Sequence, residues 1–411
     1  MNRKYLILAL LPFLLSGCWD KLELEEQAFV VVLGVDLAED EEFIDVTFQM
    51  ANPQVGSTTK ATAENEKPSV ILTLPATDII SARDTANALV TRKINLSHLK
   101  TIIISEELAK TDKFDKVVSS SIRDRQIRRE INIIVTKEKA AEFINNNKPQ
   151  LETRPHKYFE FMQKRWRDTG LVPYSTFNRY FQRSESTNTL FMAILATSKK
   201  QELKSKGYED NYEAGQINAR GGDPVQVIGS AILKEGKLID TITGEETRIA
   251  LLLRKESEAD NWLATYEDPL NEGYRIAARL IKDKKTKINI NTDKKTPVVD
   301  VTVPITFQVV AIPSQENYVL DLKKQKLLKK SIAKALEEKT MEFVKKTKEE
   351  YKDEPFLWGY EVQKNFTTKK AYEKYNWKEK YLQAEVKVKY EITIEDFGKQ
   401  LRPHEKEGGE N

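Results

Sequence analysis

The 411-residue chain has one cysteine, Cys18, so no disulfide can form within it and its stability must come from packing. Its three histidines, His98, His156 and His404, stand far apart, and none sits in a His-Glu-x-x-His pattern. A zinc site would therefore have to be completed by carboxylates. A Gly-x-Ser-x-Gly elbow, a Gly-x-x-x-x-Gly-Lys phosphate loop and a Gly-x-Gly-x-x-Gly fingerprint are all missing. Their absence leaves catalysis unsupported without disproving it; no enzymatic activity, metal or catalytic residue is expected. Charge of one sign is also missing: 66 Lys and Arg against 63 Asp and Glu give a net charge of +3. A general nucleic-acid binder needs a clustered basic excess, so no nucleic-acid partner is expected. After residue 15 no apolar run is long enough to span a bilayer, and the mean hydropathy of −0.55 with 31% charged residues describes a water-facing exterior.

What the sequence does have is concentrated at its start. Met1-Asn2-Arg3-Lys4 is cationic, and Tyr5 to Leu15 is apolar apart from Pro12. This run has the length of a signal-peptide core rather than of a membrane span. It ends in Leu15-Ser16-Gly17-Cys18, which resembles the bacterial lipobox. The motif implies a signal peptide over 1–17, cleavage between Gly17 and Cys18, and a diacylglyceryl group plus an N-acyl chain on Cys18. Two or more acyl chains give durable anchoring where one is marginal. The expected location is the outer face of a membrane, with no cofactor beyond the covalent lipid. Trp19 and Asp20 follow the anchor directly, as a membrane-surface contact or a packed tether.

Hydrophobic periodicity predicts an α/β (mixed α+β) chain of three domains, with mixed and antiparallel sheets covered by helices. Residues 18–197 read as an N-terminal α/β domain and 198–224 as an exposed loop or linker. Residues 225–270 read as a middle region of hairpin plus helix, 271–398 as a C-terminal domain with a long helix on a sheet, and 399–411 as a disordered tail. Phe29–Val35 is a continuous apolar strand; Ile44, Val46, Phe48 and Met50 alternate with polar residues in a second, completing a hairpin. Residues 56–68 read as a surface loop. Thr77 is placed to cap a helix reaching Thr91, and His156–Arg183 is helical in pattern and rich in aromatics. Val299 to Val309 alternate cleanly, but Pro304 inside the run predicts an edge strand or a bulge. A long amphipathic helix is expected from Leu320 to Tyr351, ahead of a last strand over Val386–Ile394.

Several blocks resemble one family in order along the chain. Gly17-Cys18-Trp19-Asp20, Glu23-Leu24 and Leu33-Gly34-Val35-Asp36 are similar to the start of the Ger(x)C family, the lipoprotein C subunits of spore germinant receptors. Ser97-His98-Leu99-Lys100, Ile122-Arg123-Asp124 with Ile127-Arg128, and Gly229 through Leu238 followed by Gly244-Glu245-Glu246-Thr247-Arg248 continue the resemblance. Phe356-Leu357-Trp358-Gly359-Tyr360 and Tyr375-Asn376-Trp377 complete it, although the family's glycine turn usually carries two glycines. The 198–223 segment does not align. The resemblance implies a three-domain lipoprotein on the outer surface of the spore inner membrane, non-catalytic, working with multi-spanning A and B subunits in nutrient-triggered germination.

The candidate partner-contact or structural residues are Trp19, Asp20, His98, Arg123, Trp358, Gly359 and Trp377. For His98 a hydrogen bond to backbone at the strand start competes with a pH-sensing role. For Arg123 and Arg128, pairing with Asp124 or Glu130 competes with a partner-facing patch. Gly359 is expected to allow a turn closed to other residues, and Trp358 and Trp377 are expected to pack in the core. Two other functions remain open: a solute-binding lipoprotein that captures the germinant itself, and an envelope hydrolase built on two close carboxylates.

Overall fold

An unbroken apolar strand needs apolar neighbours on both faces, and β1 (Gln27–Leu37) has them. In the computed structural model, which describes residues 23–40, 42–52, 67–184, 189–203, 208 and 210–398, β1 runs near the middle of a nine-stranded mixed sheet. The strands are β2 (Ile44–Ala51), β3 (Ser69–Ala76), β4 (Lys93–Asn95), β5 (Thr101–Ser105), β6 (Asn132–Thr136), β7 (Phe191–Thr197), β8 (Gln226–Lys234) and β9 (Lys237–Ile242). Their order is β3-β2-β1-β5-β6-β7-β8-β9, with β4 beside the first residues of β1. β1, β5, β6 and β7 are parallel, and antiparallel hairpins close both edges. Alternate residues of the parallel strands enter different cores: Ile102 and Ile104 face one side of the sheet, Ile103 the other. Helices cover both faces, which is why these strands read as continuous apolar runs.

The second sheet has five strands: β10 (Asn261–Glu267), β11 (Arg275–Ile281), β12 (Lys287–Asn291), β13 (Val298–Ala311) and β14 (Glu385–Asp396). The long helix Leu322–Lys346 starts at Asp321, whose carboxylate accepts from the backbone N–H of Lys323 and Lys324. Leu328, Ile332, Leu336, Phe343 and Val344 are buried along it, and it lies against β14. Its last turn widens into a π-turn over Thr347–Tyr351 and stops at Lys352, whose φ is 53°.

Four expectations change. Residues 225–270 do not form a middle unit: the β8–β9 hairpin extends the first sheet, while β10 opens the second. Part of 198–224 is not an exposed linker. Glu213, Ala214 and Gln216 are buried, the Gln226 side chain accepts from Gly215 and Ile217, and Ala214 donates to Ile228. The strand with Pro304 is not an edge strand. β13 pairs with β12 through Thr302 and with β11 from Thr306, so Pro304 sits where one side changes partner and an N–H is not required there. The helix after residue 76 is Ile79–Ala86, capped by Asp78 rather than Thr77, because the Asp78 carboxylate accepts from Ile80 and Ser81 at 2.7 and 3.0 Å.

The aromatic segment is two helices, Pro155–Thr169 and Phe177–Ser184, separated at Gly170, whose φ of +66° ends the first. Residues 53–66, which hold most of the expected surface loop, and the tail 399–411 lie outside the described residues.

Candidate functional site

Residues 1–22, which hold the expected leader, the expected cleavage and lipidation positions Gly17 and Cys18, and Trp19 and Asp20, lie outside the described residues, as does His404. What the structure does fix is where the described body begins. Described residues begin at Glu23, and a short 3-10 turn, Leu24–Glu26, leads into β1. That corner is the amino-terminal edge of the parallel strands. Gln27 holds Asn95 of β4 there through their side-chain amides. His98 is exposed on the same corner and stacks on Phe29, with ring centroids 4.4 Å apart. It makes a ring contact in place of the backbone hydrogen bond expected of it. Partial burial, with Lys100 and Arg128 nearby, lowers its pKa.

Arg123 and Arg128 are exposed in the loop beside this corner. Among the described residues neither forms an ion pair with Asp124, whose carboxylate is taken by Arg83 at 2.7 Å, or with Glu130. Gln126 ties the same loop to the corner by accepting from Leu96 N–H at 2.9 Å. The edge where the described body begins thus presents the exposed cations Arg123 and Arg128.

At the opposite end of β1, the Leu33-Gly34-Val35-Asp36 block acquires a physical reading. Asp36 is buried, and its carboxylate accepts from the backbone N–H of Ala140 at 2.6 Å and Ala141 at 3.0 Å. It caps the helix Ala140–Asn146, whose own N-cap residue, Lys139, gives no side-chain hydrogen bond. Burial raises its pKa and these two donors oppose the rise. Gly34 lets that helix approach: a Cβ there would stand 2.8 Å from Ile144 Cδ1 and 3.2 Å from Ala140 Cβ.

The densest arrangement is a seam between the two sheets, centred on Tyr351–Tyr360. The Glu354 carbonyl accepts from Leu190 N–H and Thr189 Oγ1, each at 3.1 Å. Its carboxylate accepts from Gly359 N–H at 2.8 Å. Arg254 donates from Nε and Nη2 to the Pro355 carbonyl at 3.2 and 3.0 Å. The Trp358 indole N–H donates to Leu253 O at 3.1 Å, and its ring lies against Phe356 at 4.6 Å. Lys234 Nζ reaches Tyr351 O at 2.8 Å, and the Tyr351 hydroxyl donates to Asp240 at 2.5 Å. Trp358 and Trp377 are fully buried, and Tyr381 contacts both rings.

Gly359 does not make the expected turn. It lies inside the short helix Trp358–Gln363, and the left-handed residue is Leu357, with φ 66°. Burial raises Glu354 to about 8 and Asp353 to about 6. Both side chains are buried. They serve as internal struts, each accepting from backbone N–H, at Gly359 and at Glu354 respectively. Among the described residues no group of three or more His, Cys, Asp or Glu could hold a metal, and no helix is long and apolar enough to cross a membrane. Sequence reasoning missed Asp36, Glu354, Arg183 and Arg254 as special positions, since each acquires its role from segments far away in the chain.

Comparison with known proteins places both halves. Residues 20–197 match the family model for the spore germination protein N-terminal domain, and residues 228–398 match that for the spore germination B3/GerAC-like C-terminal region. The chain is similar to putative spore germination protein YfkR of Bacillus subtilis (strain 168), 23% identical over 393 residues and 95% of each chain. It is 22% identical to spore germination protein B3 of the same organism over 402 residues, 96% of this chain and 98% of that one. The crystal structure of the GerBC protein superposes with a TM-score of 0.53 at 17% identity, covering 88% of this chain and 96% of that one, and so shares the fold.

Proposed function

Because the chain belongs to the Ger(x)C family of spore germination proteins, we propose that it is the lipid-anchored, non-catalytic C subunit of a spore germinant receptor. The observation that carries this reading is the pair of family matches, which together take in almost the whole body of the chain in order. Leu15-Ser16-Gly17-Cys18 supports the anchor. Cleavage after Gly17 and acylation of Cys18 would leave the body on the outer face of the spore inner membrane. The exposed Lys100, Arg123 and Arg128 sit at the edge where the tether joins; that edge faces the anionic headgroups, with Trp19 at the interface. Anchoring keeps the body beside the multi-spanning A and B subunits and raises its effective concentration there, so modest contacts suffice for assembly. A seam built of buried, backbone-bonded carboxylates supports a structural part in the receptor rather than turnover.

The test is Cys18→Ala in sporulating cells. The expected outcome is a chain absent from the spore membrane fraction, no co-purification of A and B subunits with the tagged protein, and delayed germination on nutrient. Wild-type membrane retention and germination in that variant would overturn the anchoring mechanism. Failure of the tagged wild-type chain to bring down A and B subunits would overturn the receptor assignment.

A further inference from the structure

A guanidinium stays charged under almost any conditions, and burying it without a partner is expensive. The junction between the two sheets holds two such groups in one place. Arg183, on the helix Phe177–Ser184, is 5% exposed, and Arg254, just after the helix Gly244–Leu252, is 2% exposed. The Nη1 of each is buried with no hydrogen-bond partner. Both line an open cleft of about 670 Å³, which also takes in Arg179, Lys255, Lys285 and Lys364. These six basic groups face three carboxylates, Glu256, Glu258 and Glu361.

The carboxylates are already committed. Glu258 is shared between Arg179 and Arg254, the latter at 3.7 Å; Glu256 holds Lys285 at 2.6 Å; Glu361 holds Lys364 at 2.6 Å and Lys255 at 3.5 Å. Arg254 spends its other nitrogens on Pro355 O and Met192 Sδ. Among the described residues Arg183 has the face of Phe191, 5.7 Å from its guanidinium carbon to the ring centroid, and the longer-range attraction of Glu258.

We propose that this junction cleft is a binding site for a small oxyanion, a carboxylate or phosphate group seated on Arg183 and Arg254. The Arg183 guanidinium, with its free Nη1, offers the donors that suit such a group, and Arg254 adds its own unpartnered Nη1 beside them. In the same direction, burial, with the neighbouring cations Arg254 and Arg179, brings Arg183 down to about 9 against the opposing pull of Glu258. The cleft lies between Tyr360 and the Phe177–Ser184 helix, whose backbone the Tyr360 hydroxyl reaches at Gln182 O, 3.1 Å away. An anion there would bridge the two halves of the molecule. This inference stands whether or not the chain is a receptor subunit.

The experiment is calorimetric titration of the purified full chain with inorganic phosphate and, separately, with succinate, at ionic strength held constant with chloride. Saturable binding of either anion above the chloride background is expected, with a raised thermal midpoint. The tighter of the two identifies the ligand chemistry. Arg183→Gln should weaken binding at least about tenfold, the loss of one charged hydrogen-bond partner, and abolish the midpoint shift. Arg183→Lys should retain charge but lose most of the affinity. Should Arg183→Gln fail to fold, Lys364→Gln, at the exposed rim, serves instead and should weaken binding by a smaller factor. No binding by the wild-type chain, or equal binding by wild type and the Arg183 variants, would overturn the proposal.

Discussion

A carboxyl group without water around it holds its proton, and Glu354 is such a group. Its residue is 0% exposed, and burial carries it to about 8, with neighbouring Asp353 at about 6. In the unfolded chain Glu354 would titrate near its ordinary value of 4.5. Between those two values the folded state binds more protons than the unfolded one. Stability from this group is therefore full below about pH 4.5 and declines as pH rises to about 8, by up to ~1.4 kcal/mol per pH unit. Glu354→Gln removes the titration and keeps an oxygen for the Gly359 N–H. Its thermal midpoint should exceed that of the wild type by a margin that widens from pH 5 to pH 8. Parallel midpoint curves for the two proteins over that range would show that Glu354 does not titrate in it. Nothing in the sequence singled this residue out among 63 acidic ones. Its environment is made by Leu190, Thr189 and Trp358, the first two more than 150 positions away. His98 was singled out, but its stacking on Phe29 was not legible, because it joins the turn after β4 to β1, about 70 positions apart.

Elements whose pattern is local were legible, and elements defined by a distant neighbour were not. β2, β13 and β14 show strict alternation because one face of each is more buried than the other, and their registers follow it. β1 and β5 show solid apolar runs because helices cover both faces. The division of His156–Arg183 into two helices depends on the φ of Gly170, which periodicity does not report. The capping of Ala140–Asn146 was invisible for another reason: its cap residue lies on β1, more than 100 positions upstream. That placement makes a testable claim about the element. Asp36→Ala should leave the buried Ala140 N–H and the part-buried Ala141 N–H unpaired and lower unfolding free energy by about 1–3 kcal/mol. Asp36→Asn keeps one acceptor oxygen and should lose less. Urea unfolding of the full chain measures both, and an Asp36→Ala chain as stable as the wild type would show that the helix does not depend on this carboxylate.

At the scale of the whole molecule, the two family matches meet between residues 197 and 228, yet the physical boundary lies elsewhere. The β8–β9 hairpin belongs to the second match by sequence and to the first sheet by hydrogen bonding. Leu190 and Met192 of the amino-terminal half join the same apolar cluster as Val299, Phe307, Leu336 and Trp358. The halves therefore share core, and the seam around Tyr351–Tyr360 is where they share it. Two chain segments joined only by a flexible linker would unfold separately; these should not. Calorimetry of the full chain should show one transition. Trp358→Ala removes the ring between Phe356 and Tyr381 and the hydrogen bond to Leu253, a loss of about 3–5 kcal/mol for a buried aromatic. If the core is common, that variant lowers the midpoint of the β1-sheet signal and of the β13-sheet signal together. Two resolved transitions, with only the later segment weakened, would mean that the halves are coupled by contact alone and that a signal arriving at one need not be felt by the other.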